Sequence, residues 1–158
     1  MNYTNYMNYI KKNYGDIIGS FNGVQAYSNT DNKIDTPNYY NNIYTGLKWQ
    51  CVEYVRRYLI INHNITFSNV DSASQIADAQ FMTLDGKIII PKKNNNLVIG
   101  SIIIFPKDYE IYSPDGHVAI ISSILPSGIT IAEQNYNDNI FLRFISYKDL
   151  KNVTILNV

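Results

Sequence analysis

Lys48-Trp49-Gln50-Cys51-Val52-Glu53-Tyr54-Val55-Arg56-Arg57 opens the stretch on which the fold turns. Over 49–61, Val52, Val55, Leu59 and, to one side, Ile60 recur at helical spacing, which predicts an α-helix with Glu53, Arg56 and Arg57 on its polar face. Asn62-His63-Asn64 stops it, because Asn tolerates turn and left-handed conformations. Cys51 therefore falls at or just inside a helix N-terminus. There the unpaired backbone N–H groups and the helix dipole favour an anion, such as a thiolate. A cysteine so placed is either a small buried hydrophobe or a reactive group, and the rest of the chain has to decide between them.

Downstream the pattern turns extended. A second helix is expected over 72–81, capped by Asp71 or Ser72, then a short strand over 87–90 stopped by Pro91, then an exposed loop over 92–96. Residues 101–105 form an apolar, β-branched run ended by Pro106, as a buried strand does. Residues 117–124 and 129–133 flank the turn Pro126-Ser127-Gly128 and read as a hairpin. A strand over 140–145, with Arg143 facing out, and a last one over 153–158 follow. Helices followed by a run of strands predict an α+β fold with an antiparallel sheet. Upstream, residues 1–45 are Asn-, Tyr- and Gly-rich short pieces between turn signals. They read as a partly ordered arm packed on the domain, helical over 1–12.

Bulk properties narrow the field. The 158 residues suit one domain, 1–158, with 1–14 as a peripheral arm. Thirteen basic and thirteen acidic residues cancel, so no overall field draws the chain to nucleic acid or an anionic membrane. There is no run of about 20 apolar residues. The start, Met1-Asn2-Tyr3-Thr4, lacks the basic and apolar regions of a secretory signal, so a cytoplasmic protein is expected. One cysteine forms no internal disulfide, and with only His63 and His117 to assist it builds no cysteine-based zinc site, so neither metal nor cofactor is expected. Nothing in the chain specifies an oligomeric state.

Three residues then converge. His117 follows the turn Ser113-Pro114-Asp115-Gly116 and opens an apolar strand, where an imidazole titrating near neutrality can take a thiol proton and return it to a leaving amine. Glu133 ends the return strand, at what is expected to be about the same distance from the turn as His117, and can orient the ring. Gln134 or Asn135 could take that role instead. The backbone N–H of Cys51 and the side-chain amide of Gln50 are candidate oxyanion donors. Cysteine first, then histidine, then an acid or amide on a neighbouring strand is the order of papain-like enzymes.

The ten residues 48–57 resemble the amidase domain of bifunctional glutathionylspermidine synthetase/amidase enzymes, within the CHAP group of cysteine-, histidine-dependent amidohydrolases and peptidases. Gly23-Val24-Gln25-Ala26-Tyr27-Ser28, Gly116-His117-Val118-Ala119-Ile120-Ile121 and Ile131-Ala132-Glu133-Gln134-Asn135 resemble further segments of that family in the same order. The resemblance implies a papain-like CHAP fold, a cysteine helix packed on an antiparallel sheet. It implies Cys51 as nucleophile, His117 as base and Glu133 as orienting acid, with Arg56 and Asn135 on the substrate side and a peptide–polyamine conjugate as substrate. The synthetase region is absent, so synthesis is not expected. Gly100-Ser101 stands where many CHAP proteins have Gly-Asp, and 83–96, the part that matches least, is expected near the cleft. Two other readings stay open: a peptidoglycan-cleaving CHAP enzyme, and a non-catalytic binding module that keeps the fold.

Overall fold

In the computed structural model, which describes residues 11–30, 35–109, 114–137 and 140–158, the predicted helix is α1 (Cys51–His63). Asn64 ends it in the left-handed conformation, φ 55°, with its N–H returned to the carbonyls of Ile60 and Leu59. Four strands precede it: β1 (Ile17–Phe21), β2 (Val24–Tyr27), β3 (Pro37–Tyr40) and β4 (Ile43–Leu47). After it come β5 (Ile65–Phe67), β6 (Phe81–Thr83), β7 (Ile88–Ile89), β8 (Lys92–Lys93), β9 (Ile102–Phe105), β10 (His117–Leu125), β11 (Gly128–Asn137), β12 (Ile140–Ser146) and β13 (Thr154–Asn157).

The main sheet runs β12-β11-β10-β9-β13-β8, and its neighbours pair antiparallel. The α+β class is as expected. Both faces of its centre are covered, and alternate residues divide between them as a period of two requires. Ile102, Ile104, Val118, Ile120 and Ala132 pack with Tyr54, Val55, Tyr58 and Leu59 of α1. Ile103, Phe105, Ala119, Ile121, Ile129 and Ile131 form a second cluster on the other face.

One irregularity in this sheet positions the site. Leu125 pairs with Gly128, Ile124 with Ile129 and Ser123 with Thr130, but Ile121 pairs with Ile131 and Ile120 with Ala132. Ser122 is the extra residue of a β-bulge, and its Oγ donates to the Thr130 carbonyl at 2.9 Å. Directly opposed residues share a face, so the bulge puts odd-numbered residues of β11 on the side of odd-numbered residues of β10. Without it Glu133 would face away from His117.

The structure corrects several expectations. The polar face of α1 is not solvated: Glu53, Arg56 and Arg57 are buried. Their cover is the presumed arm, which forms two hairpins, β1–β2 and β3–β4. Residues 1–10 of the expected N-terminal helix lie outside the described residues, and Lys11 and Lys12 take no regular structure. The second helix is a 3-10 segment, Ala73–Asp78. Phe81 is drawn into β6, where it pairs with Phe67 and Ile89. Lys92 and Lys93 pair with the last strand rather than forming a free loop. Arg143 does not face out; its side chain is only 17% exposed and ion-paired.

Candidate active site

Gln50 is the N-cap of α1 and Cys51 its first helical residue, so Cys51 stands where the helix leaves backbone donors without intrahelical partners. The half-buried cysteine opens on a cleft of about 710 Å³ lined also by Gln50, Arg56, His117 and Asn135. His117 begins β10 beside it. Gly116 makes that start possible: its φ is 73°, and a Cβ there would lie 2.4 Å from the Phe105 carbonyl oxygen.

The His117 ring is 3% exposed. Its Nε2 is 2.8 Å from Oε2 of the fully buried Glu133, and Cys51 is near enough to the ring to act on its charge. The bond to Glu133 runs diagonally. The expectation of equal distances from the turn fails, because His117 lies further from Pro126-Ser127 than Glu133 does; the bulge absorbs one residue of the difference and the diagonal spans the rest. Gln134 and Asn135 are not the orienting group. Gln134 faces α1, where its amide donates to the Gln50 carbonyl and to Glu53, both at 2.9 Å, and accepts from the Tyr27 N–H. Asn135, at φ 63°, donates to Gln50 Oε1 at 2.6 Å and accepts from Asn29. By holding the oxygen of the Gln50 amide, Asn135 sets its nitrogen as the donor end.

Burial works against a charged His117, but the neighbouring Cys51 and Glu133 outweigh it and raise the ring from its ordinary 6.5 to about 9. Burial raises the Glu133 carboxyl, and the His117 ring opposes that rise. A residue the sequence pattern had turned to solvent shares this carboxylate. Arg143 forks onto both Glu133 oxygens, Nε to Oε1 at 2.5 Å and Nη2 to Oε2 at 2.9 Å. Its guanidinium lies 4.0 Å from the ring centre of Tyr136. Burial lowers Arg143 to about 10, which leaves it charged at neutral pH. The signal that could have found this arrangement is Glu133-Gln134-Asn135 itself, three polar residues continuing an apolar strand that each need a buried partner.

Arg56 lines the cleft but is 2% exposed. Its Nη1 and Nη2 donate to the carbonyls of Thr45 (3.1 Å) and Ser68 (3.2 Å), and it lies over the Phe67 ring at 4.3 Å. Its Nε is buried with no partner among the described residues. The cleft is also lined by the exposed Asp71 and Asp115. Residues 83–96 do not line this cleft, contrary to expectation; Lys92, Asn94 and Asn96 border a separate cavity by the C-terminal end of α1. Among the described residues no helix is long and apolar enough to cross a membrane.

With this geometry in place, comparison with known proteins is informative. The CHAP domain matches residues 39–135. The bifunctional glutathionylspermidine synthetase/amidase of Escherichia coli (strain K12) is 31% identical over 139 residues, covering 77% of this chain and 22% of that protein. The glutathionylspermidine synthase of Crithidia fasciculata is 29% identical over 99 residues, covering 57% of this chain and 14% of that one. The chain thus spans only about a fifth of the length of the first curated relatives it matches, 22% for the E. coli protein. In structure, an N-acetylmuramoyl-L-alanine amidase from Staphylococcus aureus superposes with a TM-score of 0.55 at 16% identity, over 83% of this chain and 36% of that chain, a likeness of fold.

Proposed function

This chain belongs to the CHAP domain family, and on that premise we propose that it is a cysteine amidohydrolase acting on the amide between the glycine carboxyl of glutathione and spermidine, or on a closely similar peptide–polyamine conjugate. The observation that carries the chemistry is the line from the half-buried Cys51 through the buried His117 to the buried Glu133, beside a cleft. Two features support the substrate. The E. coli relative is a glutathionylspermidine synthetase/amidase, and Asp71 and Asp115 give the cleft an anionic rim suited to a cationic amine.

Cys51 sulfur attacks the amide carbonyl while His117 holds the proton. The oxyanion is met by the Cys51 backbone N–H and the Gln50 amide nitrogen, which Asn135 orients. His117 passes its proton to the departing nitrogen, the C–N bond breaks, and the amine leaves a thioester on Cys51. His117 then takes a proton from water, the hydroxide adds to the thioester, and the freed carboxylate departs as the thiol is restored. Glu133 keeps the ring turned and steadies its charge. Arg56 and Asn135, which both line the cleft, are assigned to the acyl side of the substrate.

The test incubates purified protein with glutathionylspermidine and, separately, with muropeptides, following products by mass spectrometry with Cys51→Ala as control. Spermidine release that vanishes in the variant is expected. Muropeptide cleavage alone would move the enzyme to cell-wall substrates, and binding of the conjugate without turnover would make it a binding module.

A further inference from the structure

Glu133 is held from two sides, and only one of them belongs to the nucleophile's proton path. His117 Nε2 and Arg143 Nη2 both lie on Oε2, at 2.8 and 2.9 Å, and Arg143 Nε lies on Oε1 at 2.5 Å. Glu133 is fully buried. Among the described residues, the other titratable or charged groups around this cluster are Cys51 from α1, Tyr109 after β9 and Tyr136 on β11. Charge counting follows from these neighbours. A reactive pair at Cys51 and His117 is an anion beside a cation, and Glu133 adds a second anion. Burying three charges that sum to minus one is costly. Without a second cation the cheapest neutral arrangement keeps the proton on the Cys51 sulfur and pairs the imidazolium with Glu133 alone. Arg143 is that second cation.

Resting on the catalytic reading above, we infer that Arg143 is a positioning and charge-balancing residue, whose guanidinium lets the Cys51 thiolate and the Glu133 carboxylate coexist around one imidazolium. It touches neither sulfur nor substrate and acts through Glu133. Its electrostatic effect is opposite in sign to that of Glu133: removing the cation makes thiolate formation harder, and removing the carboxylate makes it easier.

The rate of Cys51 alkylation by iodoacetamide against pH tests this without any substrate. In Arg143→Met the rise in reactivity moves to higher pH by about one unit or more, close to a tenfold slower reaction on the acid side. In Glu133→Gln it moves to lower pH, the double variant falls between, and Arg143→Lys stays near wild type. Arg143→Gln replaces Arg143→Met if the latter does not fold, with the same expected sign. Shifts of the same sign at both positions, or none in the Arg143 variants, overturn the inference, since a purely structural anchor would disturb both alike. A wild-type profile matching that of His117→Ala is a different failure, and it sinks the Cys51–His117 pairing itself.

Discussion

Two buried carboxylates lie on either side of Gln134, and they look alike until their partners are followed outward. Glu53 and Glu133 are both 0% exposed, and each is forked by an arginine. Around Glu53 the donors are Arg57, Asn38, Thr45 and Gln134. Through them the carboxylate ties α1 to β3, β4 and β11, while Arg57 reaches on to the Gln25 carbonyl at 2.7 Å. None of those donors gives up a proton near neutral pH. Around Glu133 one donor is the His117 ring, and beyond it lie Cys51 and the cleft. Burial and an arginine fork therefore say nothing about catalysis. What separates the two sites is a single titratable neighbour with a path to solvent.

Four measurements press on that difference. Glu133→Gln should lower kcat per folded molecule by about 10³–10⁴, the scale seen when a base loses its orienting acid; steady-state kinetics normalised to active-site titre checks it, and near-normal turnover would erase the distinction. Arg57→Met should instead cost about 3–5 kcal/mol of stability by leaving Glu53 buried with its cation gone, with kcat per folded molecule unchanged. Urea unfolding alongside the kinetics reads both numbers. The pH dependence is third. Because His117 is raised from 6.5 to about 9, its stabilising contribution is complete below about pH 6.5 and is lost as pH rises through about 9. The leaving-group proton is lost over the same range, so kcat/KM should fall above about pH 9 and the fall should start at lower pH in Glu133→Gln. An alkaline limb that ignores Glu133 would detach the two residues. Smallest is Asn38→Ala, which removes one neutral donor from Glu53 and should cost about 1 kcal/mol with no kinetic change.

The parts of the chain governed by local pattern were legible in it. The helix of Cys51 follows from apolar spacing and an Asn stop, and the strands at 102–105 and 117–125 from β-branched runs. What escaped depends on distant partners. Glu53 and Arg57 read as a solvated face because nothing near them shows that two hairpins from residues 17–47 close over it. Residues 79–81 lost their helix to strand pairing with Phe67 and Ile89. Arg143 was turned outward because alternation assigns a charged residue to water, and no local feature reveals a buried anion on the next strand. The choice among Glu133, Gln134 and Asn135 was open for a similar reason, since it rests on the bulge across the hairpin.

Ser122 is half-buried, remote from the cleft and replaceable in its one side-chain bond. A residue-by-residue substitution scan would rank it among the dispensable positions, because every replacement preserves the number of residues between His117 and the hairpin tip. Removing the residue altogether would leave Ile121 opposite Ile131 in a regular ladder, with Glu133 still on the face of His117; it is Ser122 entering the ladder opposite Ile131 that would turn Glu133 away and bring Gln134 round. The side that Glu133 takes is thus set by which residue the ladder leaves out, so a slip of pairing that changes no residue would undo it where a deletion would not.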